Sequence, residues 1–196
     1  MPKLMHITHA VTRIAMRITE DVPLVVMPDL RQIDDYDCGV SSAQAILAYY
    51  GIDSHENDLL KALKVSKEDG ADVAALVDMY QRYGLRVIAR NGLTIDDLKR
   101  CIDKGFPVQL LIQAWAEDPL TVDWASEENG HYVVAVGYKD DIIIFEDPSL
   151  FQRAYLPAKD LMPRWHCRDS EGDFVQFGIV VIGVPKYDPD TAEFML

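Results

Sequence analysis

The sequence predicts an α+β domain whose helices come first in the chain and whose sheet comes after them. Two observations carry this. In a first half of about 24–105, residues from about 38 onward repeat their apolar positions with the three-to-four period of a helix. Residues about 106–184 fall instead into short β-branched and aromatic runs separated by turn residues. Neither internal repeats nor low-complexity stretches interrupt this order, so residues 1–196 are expected to form one domain.

The elements follow in order. Ala43, Ile46, Leu47 and Tyr50 make the first apolar stripe, and Gly51 stands where a helix ends in a left-handed residue. Asp53 and Glu56 have the spacing of a capping box before a short helix bearing Leu59, Leu60 and Leu63. Val73, Leu76, Val77 and Tyr80 form a third stripe, stopped by Gly84. A short strand is expected over 85–89. Thr94 and Asp97 then cap a fourth helix, with Ile95, Leu98 and Ile102 inward and Gly105 at its end. Strands are expected over 107–114 (PVQLLIQA), 131–138 (HYVVAVGY), 142–146 (IIIFE) and 174–184 (FVQFGIVVIGV). Lys139, Asp140 and Asp141 supply a hairpin turn between two of them, and residues 157–165 are read as one further short helix. The connection over 115–130, with Glu117, Asp118, Asp123, Glu127 and Glu128, is a long acidic loop of the kind that serves as a lid or binding element.

Composition excludes several functions. Nineteen Lys and Arg against 32 Asp and Glu give a formal charge of −13, which repels nucleic acid and anionic lipid. No apolar run reaches the length of a membrane span, and the opening 22 residues are broken by His6, His9, Arg13 and Arg17, unlike a secretory signal. Cys38, Cys101 and Cys167 are odd in number and widely spaced, which suits neither a disulfide framework nor a zinc pattern. The chain reads as a cytoplasmic, reduced protein. With no phosphate-cradling glycine loop, serine nucleophile elbow or paired-cysteine ribbon, no cofactor and no metal are expected.

Cys38 is the most informative residue. It stands in RQIDDYDCGVSSAQAILAYYG, at the start of an amphipathic helix. The positive end of a helix favours the thiolate there, and the thiolate is the nucleophile. The same placement also suits a small buried hydrophobe. Asp35 and Asp37 oppose thiolate formation unless a cation offsets them, and a histidine is the natural source. His131 opens the strand that leads to the hairpin. Centring that turn near residue 139 sets His131 opposite Asp147, on one face of the sheet, as a base and its orienter require. A one-residue slip would substitute Glu146 or Pro148, and a His–Asp neighbour pair is equally a structural hydrogen bond. Gln32, six positions before Cys38, has an amide that can curl back beside the thiol and donate to an oxyanion together with the Cys38 N–H.

Gln32, then Asp37-Cys38-Gly39 and a helix ending AILAYYG, then GHYVVAVGYKDDIIIFEDPS, resemble the bacteriocin-processing cysteine peptidases, papain-like domains that remove double-glycine leader peptides. The likeness runs from about Val25 to Pro148 and loosely to Val184. It implies a papain-like fold, with Cys38 as nucleophile, His131 as general base and then acid, Asp147 as its orienter, and Gln32 lining the oxyanion hole. It also implies a peptide or protein substrate, with a transporter or other protein as partner. Ser41 and Ser42 stand where transporter-linked members commonly have Ala-Cys. No membrane-spanning or nucleotide-binding segment follows, and YLPAKDLMPRWHCRD looks more like free-standing relatives.

The expected function is therefore hydrolysis of a peptide bond. Acyl transfer through the same four residues is a variant of it, and a non-catalytic peptide-binding module of the same fold is the alternative from another class. His166, Cys167 and Asp169 lack the partner pair a metal site needs. Cys101 and Tyr132 read as packing residues. Trp115, Trp124 and Trp165 suit either core and rim packing or the wall of a substrate cleft.

Overall fold

A computed structural model describes residues 17–18, 21–67, 70–116, 121–169 and 172–192. The expected helices form as α1 (Cys38–Tyr49), α2 (Glu56–Leu63), α3 (Val73–Arg82) and α4 (Ile95–Asp103), with strand β1 (Arg86–Arg90) between the last two. Strands β2 (Val108–Gln113), β3 (Gly130–Lys139) and β4 (Ile142–Glu146) follow, then β5 (Ala154–Pro157), a short helix α5 (Ala158–Leu161), and β6 (His166–Asp169), β7 (Gly172–Val175) and β8 (Gly178–Ile182). Six strands build one antiparallel sheet in the order β1-β8-β2-β3-β4-β5, and β6 and β7 form a separate two-stranded ribbon. No helix among the described residues is long and apolar enough to cross a membrane.

Alternation along the strands divides the core in two. Tyr132, Val134 and Val136 of β3 join Val40, Ile46 and Leu47 of α1 and Leu76 and Tyr80 of α3 on one face. Val133 and Ala135 join Leu98 of α4, Leu161 of α5 and Trp165 in a second cluster. α1 is buried nearly all round, its serines included, which explains why its stripe is the least contrasted of the four. Gly51, at φ 69°, ends it as expected. The α4 capping box also forms: the Thr94 hydroxyl accepts from the Asp97 N–H, and the Asp97 carboxylate accepts from the Thr94 N–H.

Four details differ from the sequence expectation. The box over 53–56 does not form: α2 begins at Glu56 itself, its cap His55 makes no side-chain bond, and the Glu56 carboxylate turns to the Ser41 hydroxyl instead. Residues 174–184 are two strands in two sheets, because the chain turns at Gln176 (φ 50°). The turn is cross-linked, with the Gln176 N–H donating to the Trp165 carbonyl and the Leu93 N–H to the Gln176 carbonyl. Residues 157–165 are three pieces: Pro157 closes β5, α5 occupies four residues, and Met162–Arg164 is a 3₁₀ turn with a proline in its first positions. The acidic connection carries a 3₁₀ turn at Trp124–Ser126, while Glu117 and Asp118 lie outside the described residues. His6, His9 and Arg13 lie outside them too.

Candidate active site

Cys38 is the first residue of α1, so its N–H is among those with no acceptor inside the helix. Gly39 follows it because there is no room for anything larger: a Cβ there would lie 2.9 Å from Cδ2 of Tyr132 and 3.0 Å from Cβ of Ala71. Tyr132 is pinned in turn, its hydroxyl donating to the Ala71 carbonyl at 3.1 Å. Tyr132 is thus a packing residue, and the N-terminus of α1 rests directly on β3. Gln109 ties the same place down, its Nε2 donating to the Gly39 carbonyl at 3.0 Å. The strand that carries His131 therefore also seats Cys38.

His131 is on β3, opposite Ile112 of β2, and only 3% of its side chain is exposed. Its Nε2 donates to Oδ1 of Asp147 at 2.8 Å. The Cys38 side chain is the other group that acts on this ring. The imidazole pKa reflects this setting. Burial acts to lower it, hydrogen bonds and charge at Asp147 and Cys38 act to raise it, and the result lies at about 9. For Asp147, burial acts upward, but His131 and Ser149 outweigh it and hold the carboxylate below its ordinary range.

Asp147 does not reach His131 through the strand register that the sequence suggests. The hairpin pairs Lys139 with Ile142, not a turn centred near 139, and a bulge at Val136 shifts the register again, so that Val134 faces Glu146. Regular pairing ends there, and Asp147 lies just past the strand. The bulge has its own cause. The Val136 carbonyl is turned to the Val25 N–H, and Leu24 bridges to Gly137, where a Cβ would meet Leu24 at 2.8 Å. What brings Asp147 onto the imidazole is the turn after β4. The Ser149 N–H and hydroxyl both donate to the same Oδ1, at 2.9 and 2.7 Å. Ser149 escaped the sequence reading, although an Asp followed two residues later by Ser is a recognised side-chain turn.

Gln32 lies beside this turn, its N–H donating to the Pro148 carbonyl at 3.0 Å. Its Nε2 donates to the Asp34 carbonyl at 2.9 Å, which leaves one amide hydrogen for another acceptor. Asp37, 1% exposed, holds the loop together: its Oδ2 accepts the N–H groups of Ile33 and Asp34, each at 3.1 Å. The structure thus brings Cys38, His131 and Asp147 into one chain of interacting side chains, with the Gln32 backbone bonded to the turn that follows Asp147.

Trp115, half exposed, is the aromatic neighbour of this chain: its ring centroid lies 5.4 Å from that of His131, with the planes at 57°. The Asn129 amide donates to its carbonyl. Trp165, by contrast, is a core residue, 1% exposed with its indole N–H on the Phe177 carbonyl, and Trp124 stacks under Arg164. Among the residues weighed as a metal set, His166 directs Nε2 to the Trp124 carbonyl at 2.7 Å, and Cys167 packs against Gly130.

Comparison with known proteins identifies the fold that holds this site. A C39-like peptidase from Bacillus anthracis superposes with a TM-score of 0.62 at 18% identity, over 84% of this chain and 98% of that one. The peptidase domain of Streptococcus ComA, a bifunctional ABC transporter of a quorum-sensing pathway, gives 0.58 at 18% identity, over 80% and 97%. A double glycine motif protease from an AMS/PCAT transporter, solved with its leader peptide, gives 0.57 at 18% identity, over 81% and 92%. At these identities the likeness is one of fold, the papain-like fold of C39 peptidase domains. No curated protein matches the chain. The sequence profile of one family does match, over residues 19–169, which is well over half the chain. This chain belongs to the Peptidase_C39 like family.

Proposed function

We propose that the protein is a cysteine peptidase in which Cys38 is the nucleophile, His131 the general base and acid, Asp147 the group that orients His131, and Gln32 a donor to the oxyanion. The observation that carries this reading is the buried imidazole held between a carboxylate and a thiol, with its pKa at about 9. Such an imidazole stays protonated at neutral pH and stabilises a thiolate beside it.

The steps follow. The Cys38 thiolate attacks the peptide carbonyl carbon, and the carbonyl oxygen gathers the negative charge. The Cys38 N–H and the free Gln32 amide hydrogen meet that charge. As the tetrahedral adduct collapses, His131 gives its proton to the departing amine and the C–N bond breaks, leaving a thioester on Cys38. His131, now neutral, takes a proton from water, whose oxygen attacks the thioester; the acid product leaves, and the thiolate–imidazolium pair is restored.

The one neighbour named for a double glycine motif and a leader peptide makes leader-bearing peptides the first substrate class to test, and both transporter-derived neighbours make a transporter the partner such processing would serve. The test is digestion of a peptide library that includes Gly-Gly sequences, read by mass spectrometry, with wild-type protein and Cys38→Ala. Cleavage by the first and not the second supports the reading. Equal cleavage by both, or none by either alongside intact binding of the peptides, overturns it.

A further inference from the structure

Asp37 presents a problem that the proposed chemistry does not use. Its carboxylate is buried at the start of α1, next to the nucleophile. Oδ2 has two backbone donors, but Oδ1 is buried with no hydrogen-bond donor assigned to it. A buried carboxylate oxygen without a donor is costly, so something should supply a proton. The group that meets it is another acid. Glu56, the first residue of α2, accepts from the Ser41 hydroxyl at 3.4 Å, and Ser41 in turn donates its N–H to the Asp37 carbonyl. Side-chain contact between Glu56 and Asp37 closes the ring.

Two carboxylates cannot share such a contact without a proton between them. Since Oδ2 of Asp37 already accepts two N–H groups, the proton belongs on Glu56. We propose that Glu56 is a positioning residue: as a neutral carboxylic acid it donates to Oδ1 of Asp37 and so fastens the loop over 32–37, which carries Gln32, to α2 beside Cys38. This also explains why the expected capping box over 53–56 is not made, because the Glu56 carboxyl is engaged elsewhere.

The charged surroundings favour the neutral acid. Burial raises the Glu56 pKa first, followed by Asp37 and, farther off, Asp34; the Ser41 hydroxyl acts the other way. The positive end of α2 also favours charge on Glu56, and Asp58 shares that first turn. On the loop's other flank, Lys67 lies over the Tyr36 ring at 5.7 Å.

The inference concerns a positioning role and matters for catalysis only if the proposed peptidase reading holds, so its test reads the loop directly. Hydrogen exchange of the Ile33 and Asp34 amides, the two that Asp37 holds, is measured from pH 4 to 8 and expressed relative to intrinsic rates. In the wild type, protection of these amides is expected to fall about tenfold as Glu56 loses its proton, the factor a modest charge-assisted hydrogen bond supplies. In Glu56→Gln, whose amide donates at every pH, protection is expected to stay flat. In Glu56→Ala it should be low throughout. Pairing the exchange data with the rate of Cys38 alkylation shows whether loosening the loop reaches the thiol. Overturning results are a pH response in Glu56→Gln equal to that of the wild type, or wild-type protection in Glu56→Ala. If Glu56→Ala does not fold, the Glu56→Gln profile alone decides. None of these readings needs a substrate, so loss of the peptidase reading would leave them standing.

Discussion

Replacing Asp147 by Asn isolates the contribution of one carboxylate to the state of His131. Asparagine keeps the shape and can still accept the His131 Nε2–H through its oxygen, but it removes the charge. In the wild type the imidazole pKa stands at about 9 against an ordinary 6.5. That difference corresponds to about 3 kcal/mol of preference for the imidazolium, at 1.36 kcal/mol per pH unit. Because the side chain is 3% exposed, solvent screens little of it. Burial also acts downward, so the favourable partners must supply more than the net figure. Without the charge at Asp147, the midpoint is expected to fall well below 9, while the hydrogen bond and charge at Cys38 go on acting upward. The assay is NMR of ¹⁵N-labelled histidine, which follows His131 directly through its nitrogen shifts. Stability must move with it. A histidine whose folded pKa is raised contributes fully below pH 6.5 and loses that contribution as pH climbs to about 9. The unfolding free energy of the wild type should therefore drop by about 3 kcal/mol across that window, in addition to any general trend, and Asp147→Asn should show a smaller drop at lower pH. A wild-type midpoint at or below 6.5, or a midpoint unchanged in Asp147→Asn, would refute the reasoning.

Three further outcomes are expected. Gly39→Ala puts a methyl group 2.9 Å from the Tyr132 ring, so it should destabilise the protein by about 1–3 kcal/mol, as overpacking does, measured by urea denaturation. Ser149→Ala removes one of three donors on Oδ1 of Asp147 and should cost about 1–2 kcal/mol while moving the His131 midpoint only slightly, because the Ser149 N–H remains. Gln32→Ala should lower kcat on a cleaved peptide about 10²–10³-fold with KM little changed, the signature of a donor used mainly in the transition state.

The fold was legible wherever local chemistry and tertiary demand coincide. Thr94 and Asp97 cap α4 as their spacing says, since the arginines that also reach the Asp97 carboxylate, Arg90 and Arg100, leave the cap bonds in place. Glu56 shows the converse. Its spacing from Asp53 suggests a cap, but a buried carboxylate from a distant turn claims it, and that turn is invisible to a local pattern. β5 and β6, four residues each, are too short to show a period, and β5 contains only half-buried positions. The run over 174–184 hides its break because Gln176 adopts a left-handed conformation without the glycine that usually marks one.

The same division runs through the candidate site. Cys38, His131 and Asp147 stood out by residue type and context, and the fold brings them together. The register offered as the reason does not hold. A bulge at Val136, imposed by the segment at Pro23 to Val25, displaces it, and the turn at Ser149 restores the contact. Trp115 lay among three tryptophans that composition could not rank, and only its ring contact with His131 separates it from Trp165 in the core.

The central claim is that the Cys38 sulfur and the His131 imidazole act as one chemical unit. Carboxamidomethylation of Cys38 by iodoacetamide, followed residue by residue with mass spectrometry at pH 6, tests it without a substrate. The account expects His131→Ala to slow the reaction of Cys38 at least tenfold while leaving Cys101 and Cys167 unaffected. Equal Cys38 rates in the two proteins would contradict it.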